Sequence, residues 1–497
     1  MIKRTYLSIS LLMVMSQINF SQTVHYLKLY GNKGYEDVRS LVSFDNGEIA
    51  FTGLDKTAMD STGDVYLSRL NPQGELIKKL YFGKPKEDGG NGLIRTSDGG
   101  LLILGHTALP NFGIECDALV TKLNALDQIE WQATIGGGLD ETCYHAVEMP
   151  DSSFWIAGTL HDEIKYKYIG LIFHLNKSGK LIGTDTLLQA GKYNKTLSRI
   201  FIDQDKNLLV GGNTPTYYWV TNDNDGYSSG IVIAGFNPNF ENNSTPLFQN
   251  YYESASLNKL NDLIELKDHN GYLIIGNSGY YTIYNKPDSS YQPKPYLYKT
   301  LNNRFYDPSF KNPFEKFGYG SISKGALAKD GRIYLVGELV DSNKISNAFW
   351  AVLNSELQIE KWAKIDLSHS TASCLALGTN NDFFMGGVQT LKGESQIYLA
   401  HISPFEITST IDEINTNEKY VYPNPCSNSI NFEYGKEGES FYLQVFGVDG
   451  KQLLHKEVKG KQTTVSLYGW PNGTFFYKLR DKKTGQMASG KFLKETK

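Results

Sequence analysis

One short pattern returns seven times along the chain and restricts its fold more than any other feature. An apolar strand containing or ending in glycine reads "GEIAFTG", "GLLILGH", "SFWIAGT", "NLLVGGN", "GYLIIGN", "RIYLVGE" and "DFFMGGV" in successive copies. The marker glycines are Gly53, Gly105, Gly158, Gly212, Gly276, Gly337 and Gly387, at spacings of 52, 53, 54, 64, 61 and 50 residues. A turn with Gly, Asn or Asp precedes each of these strands. Another strand follows, as in "DVYLSRL" from Asp64, "DALVTKL" from Asp117 and "NAFWAVL" from Asn347. Repeats of about fifty residues built from short strands specify β-propeller blades rather than a helical solenoid.

A fourth strand leads from one copy to the next, as in "ELIKKLYFG" and "QIEWQATIGG". "VHYLKLYG", Val24 to Gly31, has the character of a fourth strand, whereas the seventh copy stops after its third strand near Ile402. The expectation is a propeller over residues 22–407, with residues 24–31 completing the last blade and leaving no open sheet edge. Tyr (32), Phe (25) and Gly (48) suit a chain of strands and turns. The poorest fourth strand is the one entering blade six, near "SFKNPFEKFG".

The ends read differently. Lys3 and Arg4 precede an apolar run from Tyr6 to Met15, the pattern of a signal peptide over residues 1–21. No later run has the length and apolarity of a membrane-spanning helix. A net charge of −4 gives no attraction for nucleic acid. Residues 408–420 are polar and aperiodic and read as a linker. In "VYPNPCSNS", Val421 to Ser429, two prolines without amide donors stop the strand pattern. Short strands then follow at close intervals, "SINFEYG", "FYLQVFGVDGKQLLHKEV", "QTTVSLYGW" and "GTFFYKLRD", which specify a small β-sandwich over residues 421–497. The fold class is all-β: a seven-bladed β-propeller followed by a small C-terminal β-sandwich.

Four stretches of this last segment stand out: Tyr422, Pro423, Asn424 and Pro425; "VFGVDGK" with Asp449, Gly450 and Lys451; "LYGWPNGTFFYKL" with Gly473; and "GKFLK" with Gly490 and Lys491. With them the segment resembles the type A C-terminal sorting domains of proteins exported by the type IX secretion system of Bacteroidota. The resemblance implies an address rather than an activity. It names the type IX machinery as a partner, passage across the outer membrane, removal of the domain, and release or attachment to surface lipopolysaccharide. Cys426 stands where such domains carry a small or apolar residue. The repeats, best in "WQATIGGGLDETCYHAVEMPDSSFWIAGT", are similar to the delta-60-like propeller repeats of secreted bacterial proteins, which implies a fold and no chemistry.

Catalytic motifs are mostly absent: there is no HExxH, Walker A or dinucleotide fingerprint. "TSDGGLLIL" lacks the order of a sialidase Asp box. His106, His145 and His161 lie in adjacent blades without metal-ligand spacing. No cofactor is expected, with calcium the one cation to consider. Asp37, Asp88 and Asp140 stand at strand starts around one channel mouth, where carboxylates hold a cation or cap turns. "TNDNDGYSS", Thr221 to Ser229, has part of a calcium loop, but Val232 replaces the bidentate acid. The enlarged loops between second and third strands of blades four and five carry Tyr217, Tyr218, Trp219, Tyr227, Tyr280, Tyr281, Tyr284 and Tyr291. Such rings stack on sugars, anchor a protein partner, or pack on one another. Cys116 and Cys143 fall near the same mouth, the one disulfide the plan of the fold suggests.

Two functions follow. The first is a surface or secreted binding module for a glycan or protein ligand, favoured by the lack of a paired acid–base motif. The second is a polysaccharide hydrolase or lyase with its site at the channel mouth, assembled from distant blades.

Overall fold

The computed structural model describes residues 23–405 and 421–495, apart from 32–34, 57–62, 83–87, 109–115, 138, 163–166, 188–195, 217–227, 240–244, 254–256, 280–292, 303–304, 434–439, 448–451 and 483–486. The signal peptide, the linker and the eight loop aromatics lie outside the described residues, as do Asp449, Gly450 and Lys451. Contacts divide the chain at residues 404 and 405 into two compact units.

The first unit contains seven antiparallel sheets. Blade one orders Ser40–Ser43, Ile49–Asp55, Asp64–Leu70 and Leu76–Phe82 from inside to outside. Blades two (88–135), three (140–186), four (196–253) and six (320–368) repeat that order. Blade seven takes three strands from residues 370–403 and its outermost strand from Thr23–Tyr30, which runs antiparallel to Glu394–Ser403. That strand is also tied to blade one, where Tyr30 donates to the Gly74 carbonyl at 2.6 Å and Lys28 to that of Gln73 at 2.7 Å.

Burial follows position in the blade. Every residue of Ile49–Asp55 is buried, whereas Leu76–Phe82 is mostly exposed or half-buried. The middle strands are covered on both faces by neighbouring blades, which is why they read as continuous apolar runs. The cores accordingly lie between blades. One joins Leu102 and Val120 to Phe154 and Phe173, and another closes the ring by joining Val38 and Phe51 to Phe384 and Leu399.

The marker glycine has a steric cause. In six blades the inner strand carries a bulge beside the residue opposite this glycine, as between Gly90 and Gly92 or Ala372 and Cys374. The bulge drives a carbonyl towards the glycine Cα. A Cβ at Gly105 would lie 2.0 Å from the Gly89 oxygen, at Gly276 1.7 Å from that of Lys259, and at Gly387 1.7 Å from that of Thr371. The third-to-fourth-strand turns have their own device. Asn71 Oδ1 accepts the amides of Gln73 and Glu75, and Asn124, Asn176 and Asn354 do the same in their blades.

Blade five departs from the pattern. Its sheet has three strands, Leu257–Glu265, Tyr272–Gly279 and Lys294–Lys299. Among the described residues, the bridge between Thr300 and Tyr306 marks the place of a fourth. Beyond it, Asp307 and Asn312 accept amides two residues on, and Pro308 and Pro313 have none to give. The coiled segment instead buries Phe314, edge-on to Phe317 and Phe349, between blades five and six.

The suggested disulfide is not formed, and all four cysteines are free. Cys116 Sγ lies 4.0 Å from Thr142 Oγ1, whereas the neighbouring Cys143 bonds the Gly105 and Leu119 carbonyls. Adjacent strand residues face opposite sides, so Cys143 turns away from Cys116.

The second unit is a sandwich. One sheet orders Val421–Tyr422, Ser429–Glu433 and Gln462–Ser466; the other orders Gln452–Lys459, Ser440–Phe446, Gly473–Asp481 and Met487–Lys494. Ile430, Phe432, Leu443, Val445, Phe475 and Phe492 fill the space between them.

Candidate functional site

The inner strands line the channel, and their bulges determine what faces it. The bulged residues are Asn91, Tyr144, Ser198, Asn261, Ser323 and Ser373, with Arg39 at the matching place in blade one. Four of these side chains reach across to the next blade. Arg39 donates to Asn91 Oδ1 at 2.7 Å, Asn91 to the Cys143 carbonyl at 3.2 Å, Asn261 to that of Ile322 at 2.7 Å, and Ser373 to that of Val38. These bonds tie blade one to two, two to three, five to six and seven to one.

The next residue in each strand forms a belt, Ser40, Gly92, His145, Arg199, Asp262, Lys324 and Cys374. The Leu93 amide donates to Ser40 Oγ at 3.1 Å, and His145 Nδ1 donates to the Ile200 carbonyl at 2.8 Å. Arg199 Nε meets Asp262 Oδ1 at 2.5 Å, and Asp262 Oδ2 accepts the Gly325 amide at 3.1 Å. Lys324 differs: among the described residues no acceptor lies within hydrogen-bonding reach of its ammonium. Burial holds its pKa below the ordinary lysine value; Asp262 opposes that shift and Arg199 adds to it. Burial, then Arg199 and Lys324, holds His145 well below the usual imidazole value, so its ring is neutral at neutral pH. Blades four to six therefore present two cations and one carboxylate to the channel.

This column was legible in principle. It lies thirteen residues before the marker glycine in six blades and fourteen before it in blade five. No residue type recurs in it, so a search for shared letters passes over it.

The three candidate cation ligands do not share a level. The Asp37 amide bonds the Leu54 carbonyl, Asp88 faces Thr107, and Asp140 faces His161, which lie one, two and three residues beyond their marker glycines. The acids that do share a rung are Glu36, Asp88 and Glu141, opposite Asp55, Thr107 and Leu160, and all three are buried. Asp37 pairs with Arg39 at 2.8 Å, and Asp140 accepts the Cys116 amide at 3.0 Å with His161 3.6 Å away. Among the described residues no group of three or more His, Cys, Asp or Glu is placed to hold a metal ion. Val232 is a buried strand residue opposite Gly212 and Tyr251.

Glu141 is the unusual acid of the three. It is 6% exposed, and its Oε2 has no hydrogen-bond partner among the described residues. Burial, with Asp117 and Asp140 adding, pushes its carboxyl up to about 7. The folded value lies above the unfolded one, so the stabilisation is complete below the unfolded pKa and is lost as pH rises through 7. Glu141→Gln should therefore gain stability relative to the parent between about pH 4.5 and 7.5, by up to about 3 kcal/mol, in urea titrations across that range. A parallel pH dependence in the two proteins would contradict the assignment.

A groove of about 410 Å³ lies beside blade five's missing strand, lined by Lys299, Asp307, Phe310, Lys311, Glu356 and Gln358 among others. Of its two lysines, Lys299 is paired with Asp307 at 3.0 Å.

In the sandwich, Asn424 lies against the last strand. Its Oδ1 accepts the Leu493 amide at 2.8 Å and its Nδ2 donates to the Lys491 carbonyl at 3.4 Å. Both peptide bonds into Pro423 and Pro425 are cis. Gly473 opens the strand to which the last one pairs, with Gly490 opposite Tyr477 and Lys491 opposite Phe476.

Residues 420–495 match the family described as the secretion system C-terminal sorting domain. No curated protein sequence matches the chain. Among solved structures, PorZ, a surface component of the type IX secretion system of Porphyromonas gingivalis, aligns at 11% identity over 91% of this chain and 74% of its own, with a TM-score of 0.29. An ulvan lyase aligns at 9% over 74% and 95% (TM-score 0.47), and the β-propeller domain of the trilobed protease of Pyrococcus furiosus at 8% over 78% and 100% (0.39). Among the described residues, no helix is long and apolar enough to cross a membrane.

Proposed function

We propose, for a chain that carries a type IX sorting domain and is exported to be secreted or held at the cell surface, that the propeller is a binding module. Its ligand is a glycan taken at the channel mouth over blades four to six. Lys324 carries this proposal. A wall built for stability alone would pair that ammonium or replace it with an apolar side chain, because even a half-buried charge without an ion pair loses hydration that nothing in the wall returns. Two cations facing one carboxylate leave positive charge directed into the channel, which suits a saccharide bearing an acid group. By sequence, blades four and five carry the enlarged loops with Tyr217, Tyr218, Trp219, Tyr227, Tyr280, Tyr281, Tyr284 and Tyr291, residue types that stack on sugars.

Calorimetric titration of the exported chain with neutral and uronate-bearing oligosaccharides tests this. The acidic series should bind, and Lys324→Met should weaken it about tenfold or more, while the unfolding midpoint stays level or rises. Equal binding by Lys324→Met would remove the channel from consideration.

A polysaccharide hydrolase or lyase is the second reading, and Glu141 favours it. A carboxyl that titrates near neutrality beside Asp117 is suited to proton transfer. Shortened products from the parent chain, absent with Glu141→Gln, would select it.

A further inference from the structure

The sorting domain has a charge of its own. Residues 421–497 hold twelve Lys and Arg against seven Asp and Glu, a net charge of +5 in a chain whose total is −4. Its last strand, Met487–Lys494, is the edge of its sheet, the usual template for strand addition. From Lys491 onwards that edge is closed. Asn424 satisfies the Leu493 amide and the Lys491 carbonyl, the Cys426 amide bonds the Leu493 carbonyl at 2.8 Å, and the Glu495 amide bonds that of Cys426 at 2.8 Å. The Asn424 side chain and the Cys426 backbone together take the place of a neighbouring strand. A partner at this end must engage side chains rather than backbone.

Two of the side chains it offers are specific. Lys491 is exposed, whereas Phe492 is buried in the core. Lys494 is turned inward, 5% exposed, and donates to the Trp470 carbonyl. That bond fixes the turn Leu467–Trp470 against the end of the strand, together with Leu467 to Asn428 at 2.8 Å and Trp470 to Leu467 at 3.0 Å. The Trp470 ring packs on Phe475 with centroids 5.2 Å apart. From this bonded turn Tyr468 projects with 89% exposure, more than any other large apolar side chain among the described residues. Its ring contributes nothing to the core it stands on.

We propose that Tyr468, on the turn held by Lys494, and Lys491, on the outward side of the last strand, are where the export machinery holds the sorting domain. The partner is a protein surface with acidic side chains around a pocket for one aromatic ring, the pairing expected of a basic domain with a protruding aromatic anchor. This rests on export by the type IX route.

The test uses the full chain in cells that carry the machinery, reading the fraction that reaches the surface or medium. Tyr468→Ala and Lys491→Glu should lower it about fivefold or more, with unfolding transitions of the purified chains unchanged, and Tyr468→Phe should export normally. Asn424→Ala should speed hydrogen exchange at the Leu493 amide. Export of Tyr468→Ala at the parental level would overturn the proposal. So would a Tyr468→Ala chain that crosses the membrane but is not retained on the surface, since the contact would then be with lipopolysaccharide. Parental export in cells lacking the machinery would instead defeat the type IX reading itself.

Discussion

Alanine at Gly276 or Gly387 should destroy the native propeller. The added Cβ would sit 1.7 Å from the carbonyl oxygen of Lys259 or Thr371, and both oxygens belong to backbone fixed by a bulge. No side-chain rotation relieves such a clash. The inner strand would have to leave its partner, which breaks the bond from Asn261 or Ser373 to the next blade. A loss of about 4 kcal/mol or more is expected, at the extreme of single-substitution effects. Gly137 is the control: nothing lies within 4 Å of its Cβ position, so Gly137→Ala should stay within about 0.5 kcal/mol of the parent. Urea midpoints of the three variants are the measurement. An unchanged midpoint for Gly276→Ala would mean that close backbone approach does not explain the repeat.

Deleting residues 23–30 should be the second large effect. The deletion exposes the outer edge of Glu394–Ser403 along its length and removes Tyr26, which is 8% exposed and packs in the cluster between blades seven and one. It also removes the bonds from Lys28 and Tyr30 to the blade-one turn. The shortened chain should unfold at lower urea with a broadened transition and form aggregates, because an unpaired apolar edge is a template for further strands. Adding the peptide Thr23–Tyr30 in trans should restore both the midpoint and the monomer. If the shortened chain unfolds like the parent, the ring does not depend on this closure.

These two cases also mark what the sequence discloses. The glycines at 53, 105, 158, 212, 276, 337 and 387 are the same residue in every blade because one steric demand repeats, so the all-β propeller could be read from them. The channel wall could not be read in that way. Its belt is Ser40, Gly92, His145, Arg199, Asp262, Lys324 and Cys374, and each blade contributes a different chemistry at one position. Repetition reveals scaffold, and what differs between copies escapes it. The acids illustrate a related limit. Asp37, Asp88 and Asp140 look equivalent by eye, but bulges and uneven loops shift the register, and Glu36, Asp88 and Glu141 prove to be the matched set. The tail of blade five was the poorest fourth strand in the sequence, and Asp307, Asn312 and two prolines do coil it.

The four unpaired cysteines have a consequence for a chain that leaves the cell interior. Burial pushes the thiols of Cys143 and Cys374 up to about 12, and that of Cys116 up to about 11. Thiol–disulfide exchange proceeds through the thiolate, so at neutral pH almost none of the reactive species exists once the blades have closed. The period of risk is the time before folding, when the same groups titrate normally and meet an oxidising compartment. The propeller core therefore protects its own redox state, and the order of folding and oxidation decides whether an exported molecule arrives reduced and native or cross-linked.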